Sequence, residues 1–249
     1  MADLSRMLKE IVAAEPDAMA WTNEVAEPFV VYAQNAFEIF ATGVTDSMKE
    51  SLLFRGAYSH TRTMAGLAVL SALRQHRIEN GLNLRQVIEG TCLMGYLAAH
   101  PGVPKDMSQP NMAHADFFKA NEKLLKTALA WVTATYPVID GDLRFYKSHI
   151  NRNRSHTTLF ATSAVYDYND KDGYADQRFF DAHDPLETRA TLMATGNIIN
   201  LANGMLILSG RDNPSISLGR LFQQSVEQSV ERGTELRAII QADYVGADR

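Results

Sequence analysis

At 249 residues, 46% of them hydrophobic and 21% charged, the chain can bury a substantial core, which excludes intrinsic disorder as its working state. A net charge of −5 weighs against a dedicated nucleic-acid binder. The single cysteine, Cys92, excludes an intramolecular disulfide and a multi-thiolate metal centre, and within CLMGYLAA it reads as a buried small hydrophobe.

The N-terminus, MADLSRMLKEIVAAEPDA, has helical spacing and no secretion-signal pattern, so a cytoplasmic protein is expected. Helices are predicted near 3–14, 28–42, 47–79, 83–99, 112–135, 140–150, 156–166, 185–209 and 215–242. Their start signals are the capping boxes Ser47/Glu50 and Asn83/Gln86, and Asp184–Pro185–Glu187. Their stop signals are Gly43, the His100–Pro101–Gly102 segment and Pro137. Alternating strand patterns are scarce. The expected fold is therefore all-α, a single-domain antiparallel bundle of about eight or nine helices spanning 1–249, with residues 1–42 as an N-terminal helical extension packed on it. The stretch 197–209 is too short and too rich in Asn and Gly to span a bilayer, so no membrane association is expected.

Motif spacing removes several chemistries. No Glu-x-x-His accompanies Glu227, Glu231 and Glu235, so these read as a solvated acidic face and not as a di-metal site. The segment from Tyr168 to Phe179 places Asp170, Asp172 and Gly173 as a calcium loop would, but it lacks the leading carboxylate and the closing Glu, and reads as an acidic turn. Phosphate-loop, dinucleotide and hydrolase-elbow motifs are absent. No metal and no cofactor is expected.

Two polar features remain. Within the helix after Asp184, Gly196, Asn197, Asn200, Asn203 and Gly204 recur at three- and four-residue spacing, forming a small polar stripe. An unsatisfied buried amide costs about 1–3 kcal/mol, so the stripe must meet water, another polar surface or a ligand. The second feature is HINRNRSHTTL, residues 149–159. From Leu143 to Tyr166 there is no acidic residue, while Arg144, Lys147, Arg152 and Arg154 are positive and His149 and His156 are titratable. On a continuous helix the two histidines would lie about 20° apart, with Arg152 between them. An Arg beside a His can hold a phosphate and shuttle the proton of an attacking 2′-hydroxyl. His149, His156, Arg144 and Arg152 are accordingly the candidate catalytic residues, and Asn197, Asn200, Asn203, Arg154, Arg55 and His60 the candidate ligand-binding residues. The Asn stripe is expected to face the His149/His156 strip across a shared pocket.

The R-x4-H spacing of RFYKSH (Arg144 to His149) and RGAYSH (Arg55 to His60), with RNRSH one residue shorter, resembles that of HEPN-domain proteins. Over roughly 47–209 the layout is similar to that of HEPN-like bacterial helical proteins. The resemblance implies an all-helical fold, frequent dimerisation and, in toxin and defence members, metal-independent cleavage of RNA. A homodimer is also expected from the surplus apolar residues Leu52, Leu53, Leu67, Val69, Leu70 and Leu73. The leading expectation is an interaction or small-ligand site with no established catalysis, and the alternative is a ribonuclease acting on RNA or another polyanion at the basic strip.

Overall fold

The computed structural model describes residues 6–47, 51–102, 114–153, 166–169, 174–177, 184–211 and 216–247. Among these the protein is mostly helical, with seven helices: α1 (Arg6–Gly43), α2 (Leu52–Leu73), α3 (Arg77–Ala99), α4 (His114–Thr135), α5 (Pro137–Asn153), α6 (Pro185–Arg211) and α7 (Phe222–Ala247). The expected helix 156–166 has only Tyr166 among the described residues, and that residue begins a strand.

Three boundaries differ from expectation for physical reasons. The first two predicted helices are joined as α1, broken only at Ala26 (φ −141°, ψ 23°), two residues before Pro28. Proline cannot donate to the preceding turn and crowds its carbonyl, so it is accommodated in the first turn after the break. The predicted 47–79 helix instead ends at Leu73, and α3 begins at Arg77, which leaves Asn83 inside α3 and not at a cap. Between them Gln75 takes a left-handed conformation (φ 61°), uncommon for a residue with a side chain. Buried bonds offset that cost: Gln75 Nε2 donates to Thr22 Oγ1 at 2.7 Å, and Thr188 Oγ1 donates to Gln75 Oε1 at 3.1 Å. Finally, the predicted 215–242 helix starts only at Phe222, because β4 (Ile216–Leu218) pairs antiparallel with β1 (Val44–Ser47) in the register Val44↔Leu218 and Ser47↔Ile216.

Strands are thus present where none was expected, although both sheets are small. The second pairs β2 (Tyr166–Asn169) with β3 (Tyr174–Gln177), so the calcium-like segment contributes the end of β2 and all of β3, and its residues 170–173 and 178–179 lie outside the described residues.

Helix α6 is the axis of the core, contacting α1, α2, α3, α5 and α7. Ile198, Ile199, Ala202, Met205 and Leu206 are fully buried there, against Phe29, Ala33, Ala36 and Phe40 of α1 and Val87, Met94 and Leu97 of α3. Its length and apolar composition would suffice to cross a membrane, and most of that apolar window is buried among the other helices, as in the core helix of a bundle. Its start matches expectation: Asp184 Oδ1 accepts from the amides of Leu186 (2.9 Å) and Glu187 (3.2 Å). Cys92 is buried in α3, and burial pushes its thiol up to about 12.

Candidate polar site

The buried stripe of α6 needs partners, and for all but Asn203 Oδ1, which has none among the described residues, it finds them on three other helices or within α6 itself. Tyr32, on the α1 face toward α6, donates its hydroxyl hydrogen to Asn197 Oδ1 at 2.6 Å and accepts from Asn200 Nδ2 at 3.1 Å. Asn200 Nδ2 also donates to Ser229 Oγ of α7 at 2.9 Å. Asn203 Nδ2 donates to Asn200 Oδ1 at 3.3 Å and to the Ala36 carbonyl at 3.2 Å. At the other end Asn197 Nδ2 donates to the Tyr146 hydroxyl oxygen of α5 at 3.0 Å. The result is one connected chain of amides and hydroxyls from α5 through α6 to α1 and α7.

Two glycines make room for it. A Cβ on Gly196 would overlap the Tyr32 ring, and one on Gly233 of α7 would overlap the Tyr32 hydroxyl. Tyr32 is only 2% exposed, and burial pushes its phenol up to about 12, against a smaller lowering by the bond from Asn200. Burial also raises Tyr146, against the lowering effects of Asn197 and the Arg237 guanidinium beside it. Both phenols therefore remain protonated donors at neutral pH.

The chain opens into a cavity of about 250 Å³ lined by Tyr32, Tyr146, Asn197 and Asn200, with Leu201 and Val230 as apolar wall. Asp142 of α5 and Arg237 of α7 stand at its exposed edge. Among the described residues no ion pair joins these two charges. Tyr146 accepts from Asn197, while its own hydrogen has no acceptor among the described residues. The cavity thus offers a phenol donor and a carboxylate from α5, a guanidinium from α7, and an apolar wall.

The candidates named from sequence fall into three groups. Asn197, Asn200 and Asn203 converge in this network. Arg144 is exposed on α5 and is engaged locally, with Nε 2.7 Å from Asp140 Oδ2 and Nη2 donating to Thr133 at 3.0 Å. Arg55 donates through Nε to Ser47 Oγ at 2.6 Å and through Nη2 to the Ser47 carbonyl, and His60 is exposed on α2. Each R-x4-H pair lies within one continuous helix, α2 or α5, where five residues turn the backbone to about 140° apart. On α2, Arg55 therefore does not share a helix face with His60. His149 and Arg152 sit in the α5 backbone with side chains outside the described residues, and Arg154 and His156 lie outside them entirely, so the expected pocket shared with the two histidines lies outside the described residues; what is described is Asn197 reaching Tyr146 of α5.

Sequence reasoning missed Tyr32, Tyr146, Ser229, Gly233, Asp142 and Arg237. The one available signal was Gly233 inside a helical stretch, where glycine costs about 1 kcal/mol relative to alanine and therefore marks a close approach. Compared with protein-family models, with curated proteins and with solved structures, the chain matches none.

Proposed function

We propose that the protein is a single antiparallel helical domain that binds a small zwitterion of amino-acid size in the cavity between α5, α6 and α7. The observation that carries this reading is that Arg237, hydrogen-bonded to Tyr146, makes no ion pair with Asp142 at the edge of a cavity whose Tyr146 hydroxyl has a hydrogen to give. A ligand carboxylate would take the Arg237 guanidinium and the Tyr146 hydrogen, its ammonium would face Asp142, and a short side chain would lie on Leu201 and Val230. The rigid amide chain behind Tyr146 preorganises that donor, which lowers the ordering cost of binding.

Thermal unfolding in the presence of each of the twenty common α-amino acids tests the reading. At least one should raise the midpoint, and Arg237→Ala should abolish the rise. No rise with any of the twenty would overturn it.

Assembly is part of the same proposal. Leu67 and Leu70 remain exposed on α2 while Val69 and Leu73 enter the core, which supports a homodimer through this face. Only monomer in sedimentation at micromolar concentration would remove that element.

A further inference from the structure

A second cavity shares only Tyr32 with the lining of the zwitterion cavity. It is a groove of about 600 Å³ between α1 and α7. On the α1 side it is lined by Glu27, Pro28, Val31, Asn35, Glu38 and Ile39, and on the α7 side chiefly by Ser225, Gln228 and Arg232. All the α1 positions follow the break at Ala26, so they belong to one uninterrupted helical run.

Glu27 and Glu38 lie eleven residues apart in that run, which returns them to within about 20° of one face and separates them by roughly 16.5 Å along the axis. Both are exposed, and among the described residues neither carboxylate has a cationic partner. The one cation in the lining, Arg232, is already paired, with Nη1 2.6 Å from Glu235 Oε2. The groove combines apolar surface, from Val31 between the two carboxylates and Ile39 just beyond Glu38, with the side-chain amides of Asn35 and Gln228.

We propose that this groove binds a linear polyamine of tetra-amine length. Its terminal ammonium groups would pair with Glu27 and Glu38, its methylene segments would lie on Val31, and an inner ammonium would donate to the carbonyl oxygens of Asn35 and Gln228. Charge complementarity selects a cation, and the spacing of the two carboxylates selects a long one over a short diamine or a metal ion. The groove's Tyr32 and Ser229 also belong to the amide chain, but the carboxylates that define this ligand do not. The proposal therefore stands independently of the zwitterion reading.

Calorimetric titration of the full chain with spermine, with putrescine and with Mg²⁺ at constant ionic strength tests it. Spermine should bind at one saturable site and more tightly than either control. Glu27→Gln and Glu38→Gln should each weaken it about fivefold, the upper range for an exposed ion pair. Glu231→Gln, an exposed carboxylate of α7 outside the groove, should leave spermine affinity unchanged. Equal binding of putrescine or Mg²⁺, or full affinity in the Glu27→Gln/Glu38→Gln double variant, would overturn the proposal. All the substituted carboxylates are exposed, so unchanged unfolding midpoints without ligand would show that the variants fold.

Discussion

The Tyr32 hydroxyl meets the Asn197 side-chain oxygen at 2.6 Å, joining α1 to α6 across 165 residues of sequence. This bond anchors the amide chain that reaches the cavity, so its removal should be felt in stability as well as at the site. Tyr32→Phe leaves Asn197 Oδ1 without its donor and Asn200 Nδ2 without one of its acceptors, at an expected cost of about 1–3 kcal/mol. In chemical denaturation the cost should shrink when Asn197→Leu is already present, because the stranded partner is then gone. Equal costs in both backgrounds would mean that the bond contributes nothing.

The two glycines flanking Tyr32, Gly196 of α6 and Gly233 of α7, should respond differently from Gly204, which also lies on α6. Gly196→Ala and Gly233→Ala each force a methyl into Tyr32 and should destabilise by about 1–3 kcal/mol. Gly204→Ala meets nothing within 4 Å and should stabilise by up to about 1 kcal/mol through helix propensity. Urea midpoints of the three variants give the order directly.

Alkaline stability follows from the raised phenol of Tyr32. Its folded value of about 12 lies above the ordinary value of 10, so the neutral form is the one the fold favours. That stabilisation is fully present below about pH 10 and is lost as the pH rises toward about 12. An absorbance titration of phenolate formation should show a late-titrating tyrosine that disappears in Tyr32→Phe. A titration in which that variant loses only an ordinary tyrosine near pH 10 would contradict the buried geometry.

Asp184→Ala should cost about 0.5–2 kcal/mol, since it frees the Leu186 and Glu187 amides at the start of the central helix. Asp184→Ser should recover most of that loss, because a serine hydroxyl can accept the same bonds. Equal unfolding midpoints for wild type and Asp184→Ala would show that the cap carries no weight.

What the sequence made legible was local. The Asp184 cap, the stops at Gly43 and Pro137 and the periodicity of Asn197, Asn200 and Asn203 are all set by residues within a few positions of one another. What it hid depends on distant partners. Gln75 breaks the long predicted helix because Thr22 and Thr188, remote in sequence, hold it in a conformation that glycine would ordinarily supply. Ile216–Leu218 becomes a strand because Val44–Ser47 lies beside it, with Thr45 Oγ1 donating to the Ser217 carbonyl at 3.1 Å across 172 residues. The Asn stripe announced a need for partners but not their identity, since Tyr32 and Tyr146 resemble ordinary aromatic positions in amphipathic helices. The Arg–His spacings were visible too, and on α2 a five-residue step separates the Arg55 and His60 side chains.

The central claim is that the cavity edged by Arg237 and Asp142 holds a small zwitterion against Tyr146. Its most direct test follows the side-chain amide resonances of Asn197 and the Nε–H resonance of Arg237 by nuclear magnetic resonance during titration with the twenty common α-amino acids. Both signals should move saturably with at least one of them, and with neither the amine formed by removing that amino acid's carboxylate nor the acid formed by removing its ammonium group. If all twenty leave the Asn197 and Arg237 resonances unmoved, the cavity is not a zwitterion site and the amide chain serves helix packing alone.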